Sequence, residues 1–225
     1  MNLLPLADRY CPTPLRPHWE RLRNSSLGLR LARGAFWSLA GATAARGLAF
    51  LLGILAARLL GKEGFGELGI IQSTVGMFAV FAGFGLGLTA NKHTAEFRWS
   101  DPERAGRIIA LSGVMSWGAG ILAAAALLIF APWLAEKTLG APQVAAPLRV
   151  AALLILLGAV DGAQIGALAG FEAFRRIAGI NLAVGLVTFS CVLAGAWRFG
   201  VLGAVWGYAI AAAFGCCLNR WAILR

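Results

Sequence analysis

Residues 148–170 of the chain read LRVAALLILLGAVDGAQIGALAG. The charged residues of this stretch are Arg149, near its start, and Asp161. A helix needs about 20 predominantly apolar residues to cross the hydrocarbon core of a bilayer, and this stretch is long enough. It therefore predicts a transmembrane helix that carries a carboxylate deep inside the membrane.

The rest of the chain has the same character. Hydrophobic residues make up 59% of the 225 positions, charged residues 13%, and the mean hydropathy is +0.75. A soluble domain is about half apolar and about a quarter charged. The composition therefore predicts an all-α, polytopic transmembrane helical bundle with about six spans, joined by short connections that favour antiparallel neighbours. The predicted spans are 34–60, 65–90, 107–131, 148–170, 177–197 and 201–219.

Three regions follow from this pattern. Residues 1–33 form a basic tail, in which residues 19–31 mix arginines with leucines and suggest an interfacial helix. Residues 34–219 form the six-helix transmembrane lobe, and residues 220–225 form a second short tail.

The placement of lysine and arginine predicts the orientation. The basic residues cluster in the first tail, in the connection before the third span, at Arg175 and Arg176, and at the C-terminal end. The positive-inside rule then predicts that both termini are cytoplasmic. We expect a multi-pass protein of the cell inner (cytoplasmic) membrane. Membrane lipids with anionic headgroups are the expected partners of the tail, whereas nucleic acid is not expected despite the net charge of +10.

Metal, cofactor and catalytic chemistry have no signature in the sequence. The four cysteines lack CxxC spacing, and the two histidines, His18 and His93, are far apart. Asp161 is the one acidic residue deep in a predicted span, and no histidine accompanies it. We therefore expect no metal, no cofactor and no enzymatic activity.

Arg46 lies near the middle of the first predicted span. An unpaired charge there costs at least about 2.5–3.5 kcal/mol, so we expect Arg46 to face the bundle interior or a wet cavity. Asp161 lies at a similar predicted depth and is a possible partner. Two interpretations stay open: an ion pair that locks the helices, or a cavity in which Arg46 contacts a substrate phosphate through its planar guanidinium.

Other residues in the spans suggest packing or polar contacts. Gln164, one turn beyond Asp161, can extend a polar patch or bond to a neighbouring helix. A glycine at every fourth position forms a stripe that permits close helix packing, with sliding during transport as the functional alternative. For Gln72, Ser73 and Thr74 we expect hydrogen bonds to other helices. The stripe consists of Gly158, Gly162, Gly166 and Gly170.

Several short motifs carry a family resemblance. Residues 55–66, LAARLLGKEGFG, resemble the end of the first helix in polysaccharide-biosynthesis flippases, which belong to the multidrug, oligosaccharidyl-lipid and polysaccharide exporter superfamily. Residues 83–91 (GFGLGLTAN), 169–176 (AGFEAFRR) and 199–204 (FGVLGA) are similar to further stretches of the same family. The resemblance extends from about residue 29 to the C-terminus.

The resemblance implies a fold and a function. Members of the family have two six-helix lobes around a central cavity, and this chain corresponds to the N-terminal lobe. It implies alternating-access transport of lipid-linked oligosaccharide, with Arg46, Asp161 and Gln164 as substrate-binding candidates. A truncated product, a split transporter with a partner chain and a half-size protein that forms a homodimer all stay open. The alternatives are a small drug or metabolite exporter that acts as a dimer, and an inactive or scaffolding membrane fragment.

Overall fold

The computed structural model describes residues 26–83 and 85–224, and all regular elements within them are helical. The predicted all-helical bundle is confirmed. Most of the predicted basic tail and of its interfacial helix lies outside the described residues. The helices are α1 (Ser26–Gly83), α2 (Leu86–Phe97), α3 (Pro102–Trp133), α4 (Ala145–Gly170) and α5 (Phe174–Ile223), with a π-helical turn at Leu134–Thr138 and a 3-10 turn at Pro142–Val144.

Two glycines interrupt the longest helices. Gly61 in α1 has φ 69° and ψ −174°, and Gly200 in α5 has φ 60° and ψ −142°. A side chain at positive φ collides with the backbone, so these conformations favour glycine. The interruptions divide α1 into α1a (26–60) and α1b (62–83), and α5 into α5a (174–199) and α5b (201–223).

Each interruption reverses the chain. In α5, a Cβ atom added at Gly195 would overlap the Gly203 carbonyl, and one added at Gly203 would overlap the Gly195 carbonyl. One turn further from the bend, a Cβ at Gly207 would lie 2.6 Å from the Cys191 carbonyl oxygen. Small residues therefore let α5a and α5b pack with their backbones in contact, as an antiparallel hairpin.

The core is built around α4. Leu148, Ala151 and Ile155 of this helix are fully buried, as is Leu127 of the adjacent α3. Their spacing of three and four residues places them on one face of the helix. The helix lies against α1, α2, α3 and α5, which makes it the centre of the lobe.

Basic residues gather at one end of the bundle, which we call the arginine-rich end. This end consists of Trp37, residues 97–102, residues 170–176 and Ala222. Arg98 donates from Nη1 to the Gly170 carbonyl at 3.0 Å, joining the end of α2 to the end of α4. Arg175 stacks over the Trp37 ring at 5.5 Å, and Arg176 donates to the Ala222 carbonyl at 3.3 Å. These contacts bring the start of α1a, the α4–α5 turn and the end of α5b together.

The two glycine bends and residues 139–144 form the opposite end. Gln143 donates from Nε2 to Glu67 Oε1 at 3.0 Å, and a Cβ at Gly64 would lie 3.3 Å from the Val201 side chain. The described chain therefore runs between the two ends six times.

Within residues 26–83 and 85–224, four helical stretches are long and apolar enough to cross a membrane, two of them counted across the glycine bends: Gly41–Gly83, Pro102–Thr138, Pro142–Gly170 and Phe174–Ile223. The count of about six membrane crossings stays a prediction. Four tryptophans lie near helix ends and are each more than half exposed, as expected of residues at a membrane interface. They are Trp99, Trp133, Trp197 and Trp221.

Candidate functional site

A cleft of about 310 Å³ lies between α1a, α1b and the two halves of α5. Its wall on α1a consists of small and apolar residues, among them Ala49 and Ala56. Its polar groups are Gln72 of α1b, Thr188 of α5a and Tyr208 of α5b, and the Gln72 amide lies against the Tyr208 hydroxyl. The cleft is therefore largely apolar with a small polar wall.

The hydroxyl residues beside Gln72 behave differently from the prediction. Ser73 Oγ donates to the Gly69 carbonyl and Thr74 Oγ1 to the Ile70 carbonyl, both at 2.9 Å. The expected hydrogen bonds to other helices are wrong for these two residues. A short hydroxyl side chain reaches the carbonyl one turn earlier in its own helix, which satisfies it without a neighbour.

Arg46 is exposed at the surface of the lobe, on α1a. It lies about nine residues from Trp37, roughly 13 Å along the helix from the arginine-rich end. The preceding residue, Ala45, lines the cleft, and Arg46 itself does not. No acidic side chain of the described residues lies within ion-pairing distance of its guanidinium.

Asp161 lies about nine residues, or roughly 13 Å along α4, from Gly170. Its Oδ1 accepts a hydrogen bond of 2.7 Å from Asn219 Nδ2, which joins α4 to α5b. The structure thus gives Asp161 an amide partner in α5b and keeps it apart from Arg46. The reason is the packing of α1a, which faces α5a through Gly41 against Ala178 and through Leu48 against Gly185.

Gln164 follows Asp161 by one turn and is partly buried. Its Oε1 is buried and accepts no hydrogen bond from the described residues. Asn219 Oδ1 is also buried and accepts no hydrogen bond from the described residues, although the amide nitrogen of Asn219 donates to Asp161. Arg46, Asp161 and Gln164 do not line the cleft.

The predicted glycine stripe of α4 divides into two parts. A Cβ at Gly166 would overlap the Gly87 carbonyl of α2, and one at Gly170 would lie 2.6 Å from Thr94 Cβ. A Cβ at Gly158 or Gly162 would have no atom within 4 Å. Only the half of the stripe nearest the arginine-rich end permits close packing by its lack of a side chain.

The α2–α4 contact continues to the helix ends. Arg98 Nη2 pairs with Glu172 Oε1 at 2.5 Å, and Glu172 has a positive φ of 56° in the tight turn before α5. Arg98 is thus bonded both to this carboxylate and to the Gly170 carbonyl, which fixes α2 to the α4–α5 turn.

Sequence reasoning overlooked Asn219, Thr188 and Tyr208. Each is a polar residue within an apolar helix, and this was the only feature of the sequence that could have marked it as a candidate. Asn219 was treated only as the end of the last span, because Arg220 follows it. Its pairing with Asp161 depends on the α4–α5b packing, which no local pattern shows.

These features define a multi-pass membrane protein, an all-helical bundle with charged and amide side chains within its apolar helices. A family model described as polysaccharide biosynthesis protein matches residues 31–225, and the chain belongs to this family. It is thus a membrane protein of polysaccharide-related transport, in agreement with the resemblance of its motifs. Comparison with curated proteins and with solved structures found no match.

Proposed function

We propose that the protein moves lipid-linked oligosaccharide across the cytoplasmic membrane by alternating access, as a transporter and not an enzyme. Family membership and the membrane helices support the general role. The observation that carries the specific role is Arg46, a cation at membrane depth that is both exposed and without an acidic partner among the described residues.

The exposure of Arg46 favours a wet surface on this side of α1a. A charge that faces lipid near the centre of a span costs about 2.5–3.5 kcal/mol on insertion scales. A water-filled cleft between this lobe and a second lobe removes that cost. The second lobe is either another copy of the chain in a homodimer or a separate chain, and the two lobes rock around the cleft.

Phosphate is the ligand that best fits an arginine in such a cleft. The guanidinium donates paired hydrogen bonds in a plane, which matches two oxygens of a phosphate or pyrophosphate. Arg46 would bind the pyrophosphate linkage while the glycan lies in the water-filled cleft between the lobes.

Asp161 and Gln164 belong to a separate polar site in this proposal. Their position beside α5b places them away from Arg46, where they can respond to movement of α5b against α4. The close Gly87–Gly166 contact, together with the bonds of Arg98 to Gly170 and Glu172, holds α2 against α4. The arginine-rich end faces the cytoplasm by the positive-inside rule, which places both termini there.

The test is transport in reconstituted vesicles. The purified chain is placed in liposomes with a fluorescent oligosaccharide on polyprenyl pyrophosphate, and the fraction of glycan reached by an external glycosidase is followed over time. We expect faster exposure than in vesicles without protein. Arg46→Ala should slow it by about tenfold or more, a loss typical of one charge-assisted contact, and Arg46→Lys should retain part of the rate.

Arg58→Ala is the matched control, because Arg58 is also an exposed arginine of α1a but lies beside the bend at Gly61. Its rate should equal that of the unchanged protein. A rate no higher than in empty vesicles, measured with the second lobe present, contradicts the transport proposal. Equal losses in both variants contradict a specific role for Arg46.

A further inference from the structure

Three exposed arginines lie at the arginine-rich end, where α1a, α5a and α5b come together, and we call them the arginine cluster: Arg175, Arg176 and Arg220. The Arg175 guanidinium lies 5.5 Å from the centre of the Trp37 ring of α1a. Arg176 Nη1 donates to the Ala222 carbonyl of α5b at 3.3 Å. Arg220 belongs to the last turn of α5b, just before Ala222. The cluster therefore brings positive charge from both halves of α5 to one place beside the start of α1a.

The surroundings of the arginine cluster contain little negative charge. Residues 26–60 and 174–224, which contain α1a and α5, include no aspartate or glutamate. Glu172, just before α5, pairs with Arg98. Within the part of the chain that the structure describes, no carboxylate forms an ion pair with a member of the cluster. A guanidinium has five N–H donors, so the single bond of Arg176 to a carbonyl leaves most of its donors available.

Two tryptophans indicate the depth of the cluster in the membrane. Trp221 in the last turn of α5b is 54% exposed, and Trp37 is partly exposed beside Arg175. Tryptophan is enriched at the membrane–water interface, where its ring lies among the lipid headgroups. About one turn further along both helices, a Cβ at Gly41 would lie 2.9 Å from the Ala178 Cβ, so α1a and α5a are in close contact there. We therefore expect the cluster at the level of the headgroups, on helix ends that are packed together.

We propose that the arginine cluster binds the headgroup of an anionic phospholipid of the phosphatidylglycerol class. A guanidinium donates paired hydrogen bonds to two phosphate oxygens. Basic pockets between transmembrane helices bind anionic headgroups in this way. A zwitterionic phospholipid has the same phosphate, but its ammonium group is repelled by three uncompensated arginines. The cluster therefore selects a headgroup with a net negative charge.

A phospholipid bound at this place connects three helical segments. Arg175 and Arg176 belong to α5a, Arg220 belongs to α5b, and Trp37 of α1a lies against Arg175. Binding to the folded chain alone raises its stability by mass action, so the melting temperature should rise with the anionic lipid. The proposal goes beyond the transport of oligosaccharide, because this phospholipid is not the transported molecule and its binding is measured without any lipid-linked sugar.

Native mass spectrometry of the purified full chain in detergent tests the proposal, with phosphatidylglycerol and phosphatidylcholine of identical acyl chains titrated separately. We expect tighter binding of phosphatidylglycerol. Arg175→Gln and Arg176→Gln should each weaken it about fivefold, which corresponds to about 1 kcal/mol per arginine near an anionic surface. Binding of phosphatidylcholine should not change. The melting temperature of both variants in phosphatidylcholine alone should equal that of the unchanged protein, which separates the loss of a lipid contact from a loss of folding.

Arg107→Gln is the matched control. Arg107 is an exposed arginine in the second turn of α3, but it pairs with Glu103 at 2.5 Å, so its charge is already compensated. Its loss should leave the affinity for phosphatidylglycerol unchanged. Equal affinity for the two phospholipids overturns the proposal, as does an equal loss of affinity in Arg107→Gln and the two cluster variants. If a polyprenyl pyrophosphate displaces bound phosphatidylglycerol and binds more tightly than that phospholipid, the cluster serves the transported lipid and the proposal is also overturned.

Discussion

Gly166 of α4 packs directly on the backbone of Gly87 in α2, so closely that a Cβ atom at position 166 would overlap the Gly87 carbonyl group. Gly158, two turns earlier on the same stripe, has no atom within 4 Å of the place where its Cβ would stand. Two glycines that are equivalent in the sequence pattern thus have different surroundings, and the difference can be measured.

We expect Gly166→Ala to destabilise the protein by about 1–3 kcal/mol, because the added methyl group forces the α2 and α4 backbones apart. Gly158→Ala should be neutral or stabilising by up to about 1 kcal/mol, since alanine favours the helix and meets no neighbour. The free energy of unfolding in mixed detergent micelles measures both. Equal effects of the two substitutions would show that the α2–α4 contact is not tight.

The effect of a substitution at the Gly61 bend should depend on backbone conformation and not on the space available for a side chain. No atom lies within 4 Å of a Cβ at Gly61, yet its φ of 69° is strained for any residue with a side chain. Gly61→Ala should therefore cost about 1–3 kcal/mol of unfolding free energy. Gly69→Ala is the control, since its Cβ is equally unobstructed and its φ is helical. The prediction fails if both variants are as stable as the unchanged protein.

The Arg98–Glu172 pair should contribute more to stability than the pair on the surface of α3. The Arg98 side chain is only 15% exposed, whereas Glu103 and Arg107 are 78% and 77% exposed. A double-mutant cycle with Arg98→Gln and Glu172→Gln should give a coupling energy of about 1 kcal/mol. The same cycle on Glu103 and Arg107 should give about 0.3–0.5 kcal/mol. Similar coupling energies in the two cycles would contradict the partly buried position of Arg98.

The side of α1a that carries Arg46 should be wet in the membrane. In a background where the native cysteines are replaced, Arg46→Cys should react with a membrane-impermeant thiol reagent, because water reaches this position. Leu111→Cys is the matched control: Leu111 is an exposed apolar residue of α3 at a similar distance from the arginine-rich end. It should stay unmodified in lipid. Protection of both positions would place Arg46 against lipid or a tightly packed partner.

The helices and the two chain reversals could be predicted from local sequence patterns. Long apolar runs specify transmembrane helices wherever they occur. Glycine at positions 61 and 200 stands where two predicted spans meet, and the reversals occur there. The expected hydrogen bonds of Ser73 and Thr74 to other helices failed because a hydroxyl bonds to its own helix whenever no neighbour competes.

The sequence by itself determined the class of protein and the helices, because composition and the length of apolar runs depend only on local order. The similar depth of Arg46 and Asp161 in the membrane stays a prediction. Only the tertiary structure decided which way each side chain faces and which helix it meets. Asp161 turns to Asn219, whereas Arg46 is exposed, because helix rotation and neighbour choice are set by packing between segments distant in the chain.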